Sequence, residues 1–131
     1  MTTASNELTA ELKLLADAWE WQAREVRPIA DTENDPILTA RRIGSCDTFE
    51  DVASQVRHRM QRKEHGISPV EDWNALADQW LVLSEWAKKT ADTDKNRLTA
   101  AYRAGVASAY ADASAKLDRA LKITAKKVSQ D

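Results

Sequence analysis

Leu15-Ala16-Asp17-Ala18-Trp19 and Leu76-Ala77-Asp78-Gln79-Trp80 are nearly one phrase written twice, 61 residues apart. The same offset pairs Ala30-Asp31-Thr32-Glu33 with Ala91-Asp92-Thr93-Asp94. It also pairs Ala40, Arg42, Gly44 and Asp51 with Ala101, Arg103, Gly105 and Asp112. Between 6–61 and 67–122 there are 11 identities without a gap, and only three of them are alanines. A Trp, a Gly, an Arg and three Asp are harder to match by accident. The apolar positions keep the register too: Leu12 meets Trp73, Ile37 meets Leu98, Phe49 meets Tyr110, Val56 meets Leu117 and Met60 meets Leu121. This is the signature of an internal duplication, with repeat 1 at about 6–65 and repeat 2 at about 67–128 of one domain.

Each repeat reads as two helices. Leu8, Leu12, Leu15, Trp19, Ala23 and Val26 recur at spacings of three and four, which puts them on one helical stripe. Trp73, Leu76, Ala77, Trp80, Leu83 and Ala87 form its counterpart. Phe49, Val52, Val56 and Met60 serve the second helix of repeat 1, and Ala113, Leu117 and Leu121 that of repeat 2. Ser5 or Asn6 is the expected first cap, and Arg27-Pro28 the expected stop. Asp35-Pro36, Ser68-Pro69-Val70-Glu71, and Asp92 or Thr93 open the later helices. The predicted helices span about 6–27, 36–64, 69–90 and 94–128. Short loops make sequence neighbours antiparallel, so the expected fold is all-α: a four-helix bundle of two tandem antiparallel α-hairpins with an approximate internal two-fold.

Gly44 gives two conflicting signals. Gly44-Ser45-Cys46-Asp47 resembles a helix stop followed by a new cap, whereas its register mate Gly105 lies inside an alanine-rich helix. Glycine within a helix costs about 1 kcal/mol relative to alanine. Its recurrence suggests close packing, with each glycine expected to make room for the Trp19 or Trp80 indole of its own hairpin.

Composition narrows the function. A single cysteine, Cys46, cannot form an internal disulfide, which fits a reducing compartment. No signal-peptide pattern and no apolar run of about 20 residues is present, so the expected location is cytoplasmic, away from membranes. No GxGxxG, GxxxxGK[ST], HExxH or GxSxG occurs. No Glu is followed three residues later by Glu or Asp, the arrangement with which helical pyrophosphatases hold magnesium. His58 and His65 are too few for zinc. The chain therefore reads as a non-enzyme, without catalytic residues, cofactor or metal.

Charge is segregated. Residues 1–54 carry 5 basic and 11 acidic side chains, and 55–65 carry 4 and 1. Residues 66–94 carry 2 and 6, and 95–131 carry 8 and 3, for a net −2. Arg57, Arg59, Arg62 and Lys63 form a compact basic segment that could meet phosphates. A helix at 36–43, a turn and a helix from 48 would even imitate a helix-turn-helix. Asp47, Glu50 and Asp51, however, stand at the end that enters the groove in such folds.

Of the five tryptophans, Trp19, Trp73 and Trp80 fall on the core stripes. Trp21 lies about 160° around the helix from Trp19. Trp86 matches the charged position Glu25. With Leu14, Ala18, Ala75 and Val82 they outline a second apolar strip. It either joins the hairpins, the expectation for Val82, or receives a protein partner at Trp21, Trp86 and Leu14.

The stretch Leu98 to Leu117, with Tyr102, Arg103, Gly105, Val106, Tyr110 and Asp112 among its alanines, and Leu76-Ala77-Asp78-Gln79-Trp80 resemble small uncharacterised helical proteins of actinobacterial phages. The resemblance covers about half the chain, once per repeat, and implies a phage origin without implying an activity. Arg41 and Cys46 depart from it where repeat 2 has Tyr102 and Ala107. The sequence therefore points first to a protein-interaction module, a phage-encoded factor binding a host protein as a monomer or homodimer. The alternatives are a nucleic-acid-binding accessory protein or an oligomeric structural or assembly component.

Overall fold

The computed structural model describes residues 3–61 and 69–130, with side chains placed for 7–61 and 71–126. Four helices follow one another: α1 (Thr3–Thr32), α2 (Pro36–Gln61), α3 (Pro69–Thr93) and α4 (Arg97–Gln130). α1 packs on α2 and α3 on α4, while α2 and α4 form the central pair that joins the hairpins. The fold is the four-helix bundle of two antiparallel α-hairpins. α1 and α3 end at equivalent residues, and α2 and α4 begin at equivalent residues, in the 61-residue register.

The two interhelical turns show why the register holds. Glu33 N donates to Ala30 O and Asp94 N to Ala91 O, both at 3.3 Å. Asp35 Oδ1 accepts from Ile37 N, and its mate Asn96 Oδ1 accepts from Leu98 N, both at 3.0 Å. These N-caps satisfy amides that the first helical turn leaves unpaired. Arg42 pairs with Glu33 at 2.8 Å and Arg103 approaches Asp94 at 3.9 Å, which gives the repeated arginine a task in both copies.

Several boundaries differ from expectation. α1 begins at Thr3, ahead of Ser5 and Asn6, and runs through Pro28 to Thr32. Pro28 is exposed, so solvent can reach the backbone around the missing hydrogen bond, while buried Ala30 anchors the turn that follows. α3 likewise continues to Thr93, whose hydroxyl donates back to Lys89 O within the same helix; the cap of α4 is Asn96, not Asp92 or Thr93. Ser68 and the closing His65-Gly66 lie outside the described residues.

Most of the predicted stripes form the core, with Leu15, Val26, Met60 and Leu83 half-buried against it and Ala16, Cys46, Ala53 and Ala109 joining it. Leu8, Leu12, Trp19 and Ala23 of α1, Trp73, Leu76, Ala77 and Trp80 of α3, Phe49, Val52 and Val56 of α2, and Ala113, Leu117 and Leu121 of α4 are all buried in one cluster. Small residues let the helices of each hairpin approach closely. In the second hairpin this closeness brings Ser84 Oγ to Ala107 O and Ser114 Oγ to Ala77 O, each at 2.7 Å.

α2 is continuous through Gly44, and the glycines do not accommodate indoles. A Cβ on Gly44 would run into the carbonyl oxygen of Tyr102, and one on Gly105 into that of Arg41. Tyr102 and Arg41 are themselves register mates, so the contact is reciprocal: each glycine lets the backbone of the opposite central helix come close. Ser45 Oγ donates to Gly105 O at 3.1 Å across the same crossing. The repeated glycine thus marks where the two hairpins join.

Candidate functional site

Because α2 and α4 join the hairpins, the outer faces of α1 and α3 stay free. Leu14, Ala18 and Trp21 follow at spacings of four and three on α1, and Ala75, Val82 and Trp86 at seven and four on α3. All six are exposed, with relative exposure of 62% for Leu14, 59% for Trp21, 62% for Val82 and 61% for Trp86. The expectation that Val82 helps join the hairpins is therefore corrected. Leu81 is also exposed, but it lies about 100° or more around α3 from Ala75, Val82 and Trp86 and so stands apart from the strip. Leu81 matches Glu20, just as Trp86 matches Glu25.

The basic segment is not a free patch. Arg57 reaches from α2 to α1, where it donates to Glu20 at 2.5 and 3.1 Å and pairs with Asp17. Its pKa is raised above the usual guanidinium value by the hydrogen bond to Glu20 and then by that to Asp17. Arg59 grips both carboxylate oxygens of Asp72 on α3, at 2.8 and 2.9 Å. His58 is exposed, and Arg62, Lys63 and His65 lie outside the described residues. The continuity of α2 also removes the turn that a helix-turn-helix would need.

Two equivalent sites flank the α2–α4 crossing, and they are built differently. On the α3 side Tyr102 donates to Asp47 at 2.6 Å, and Tyr110 donates to Asp51 at 3.0 Å. Arg27 from α1 donates to Asp47 at 3.0 Å and to Glu50 at 2.7 Å. The hydrogen bond to Asp47, then burial, pushes the Tyr102 phenol up to about 12; burial, then the Asp51 charge, does the same for Tyr110. Gln55 donates to Asp51 at 2.7 Å and accepts from Trp80 Nε1 at 3.0 Å.

On the α1 side the register mates are Arg41 for Tyr102, Phe49 for Tyr110, Ser108 for Asp47, Asp112 for Asp51 and Lys116 for Gln55. They line a groove of about 570 Å³. Buried Cys46, Phe49 and Ala109 form its floor, and Val26 and Leu38 contribute apolar walls. Burial raises the Cys46 thiol pKa, which keeps it a weak nucleophile. Among the described residues no cluster of His, Cys, Asp and Glu could hold a metal, and no helix is long and apolar enough to cross a membrane. No protein-family model, curated protein or solved structure matches the chain.

Proposed function

We propose that this chain is a non-enzymatic protein-interaction module, a phage-encoded factor that acts in the cytoplasm by docking on a host protein. The observation that carries the proposal is the pair of indoles, Trp21 and Trp86, each about three-fifths exposed on an outer helix face beside Leu14 and Val82. Tryptophan contributes disproportionately at protein interfaces, and clustered exposed apolar side chains mark interaction surfaces. Exposed charges of both signs border the strips, Arg24 and Glu25 beside Trp21 and Glu85 and Lys89 beside Trp86, so the partner offers an apolar surface with a mixed polar rim. The nucleic-acid alternative is weakened because Arg57 and Arg59 are already held by carboxylates.

The test is capture of host proteins by the immobilised wild-type chain and by Trp21→Ala/Trp86→Ala. The expected result is a specific partner retained by the wild type and lost by the double variant, with the melting temperature unchanged. Retention of the same proteins by both would remove the indoles from the interface. Capture of nothing by the wild type, together with a gel shift at about 50 mM salt, would favour nucleic acid instead. Light scattering addresses self-assembly: a wild-type dimer that the double variant dissociates would make the strip an oligomer contact.

A further inference from the structure

The duplicated architecture supplies its own control for the groove beside α1. In the half facing α3, the ring of Tyr102 lies across the α2–α4 crossing and ends in a hydrogen bond to Asp47. Tyr110 adds a second phenol, bonded to Asp51. In the half facing α1, Arg41 replaces Tyr102 and is exposed at the edge, so no side chain of the bundle supplies the corresponding ring. Phe49 replaces Tyr110 and has no hydroxyl. Asp112 keeps the position of Asp51 but among the described residues receives only Lys116, at 3.1 Å. Besides the exchanges of Asp47 for Ser108 and Gln55 for Lys116, the groove lacks the aromatic ring of Tyr102 and both phenol donors of its mate.

What it offers a ligand is specific. Phe49, Val26 and Leu38 present apolar surface for a ring. Ser108 and Asp112 stand where the mate site accepts phenol protons. Arg41 pairs with no carboxylate among the described residues, which leaves its guanidinium available to an anion. A volume of about 570 Å³ is that of a small-molecule site.

We propose that this groove binds a small hydroxyaryl carboxylate, with its ring in the place that Tyr102 fills in the other half, its carboxylate on Arg41 and its hydroxyl toward Ser108 and Asp112. This site is separate from the indole strip and does not depend on it.

The probe is 3-(4-hydroxyphenyl)propanoate, titrated by calorimetry or ligand-observed NMR. The wild type should bind one equivalent saturably. Arg41→Gln should weaken binding about tenfold or more through loss of the charge-assisted contact. Arg41→Tyr, which restores the missing ring, should abolish it while leaving the circular dichroism unchanged. The neutral analogue 2-(4-hydroxyphenyl)ethanol should bind the wild type about as weakly as the acid binds Arg41→Gln. Absence of saturable binding to the wild type at millimolar probe overturns the proposal. Wild-type affinity in Arg41→Gln or Arg41→Tyr overturns it equally.

Discussion

Trp19 and Trp80, register mates in the two hairpins, meet edge to face with ring centroids 5.6 Å apart and planes at 80°. Such a pair adds about 1 kcal/mol beyond the apolar area it buries. The two indoles are nonetheless unequal. Trp80 Nε1 donates to Gln55 Oε1, whereas buried Trp19 Nε1 has no acceptor among the described residues. The cause lies at one register position. Gln55 corresponds to Lys116, and a lysine ammonium has donors only.

Lys116→Gln should therefore stabilise the protein. The new amide oxygen can accept from Trp19, as Gln55 accepts from Trp80, for a gain of about 1 kcal/mol and a melting shift of roughly 4 °C. The lost pair with Asp112 is half exposed and contributes little. Gln55→Lys should do the reverse by leaving a second indole unsatisfied, at about 1–3 kcal/mol. Thermal melts of the two variants check this, and a lower melting temperature for Lys116→Gln would refute it.

Gly44→Ala and Gly105→Ala should each destabilise, although alanine favours an isolated helix by about 1 kcal/mol. The added methyl meets backbone carbonyl, which cannot swing aside as a side-chain end can. The central helices must separate, and overpacking of that kind costs roughly 1–3 kcal/mol. The reciprocal geometry predicts similar losses at the two positions. Urea unfolding measures both, and a stabilised Gly44→Ala would show that the crossing is looser than described.

Tyr102 and Tyr110 give the bundle an alkaline limit. Both phenols have pKa values raised to about 12 in the folded chain, against about 10 when unfolded. A raised pKa means that folding favours the protonated form. The associated stability is complete below pH of about 10 and falls as the pH climbs toward 12. Tyr102→Phe/Tyr110→Phe should be less stable at neutral pH and should lose stability less steeply over that interval. Denaturation midpoints on either side of it, with phenolate absorbance followed in parallel, provide the measurement.

The helices, the core stripes and the hairpin pairing were legible because burial writes them at helical spacing, with Trp19 and Trp80 at equivalent core positions. Local signals misled where the tertiary structure overrode them. Pro28 reads as a stop, yet Ala30 beyond it is buried and the helix continues. The cap of α4 was legible only through the register: Asp35 is a plain cap, and its mate is Asn96 rather than the nearer Thr93. The role of the glycines could not be read at all, since periodicity shows which face is small but not which helix lies against it. Helical angle and the charged mate of Trp86 set Trp21 and Trp86 apart from the core stripes but left open whether they join the hairpins, and the structure shows both exposed. The groove required coordinates, because its meaning is a difference between two sites that one sequence lists far apart.

Arg57 tests whether the basic segment is structural. Its guanidinium ties α2 to α1 through Glu20 and Asp17, whereas its register mate Asp118 pairs with Lys122 within α4 and makes no such tie among the described residues. The second hairpin is fastened instead by the buried hydroxyls of Ser84 and Ser114. Arg57→Ala should cost about 1 kcal/mol at low salt, and most of that difference should vanish near 1 M salt, where exposed charges are screened within about 3 Å. Ser114→Ala should also cost about 1 kcal/mol, but by a loss that salt leaves unchanged. Urea titrations of both variants at two salt concentrations separate these behaviours. If Arg57→Ala proves as stable as the wild type at low salt, the arginine is not a structural tie, and it becomes free for the phosphate contact that its ion pairs now argue against.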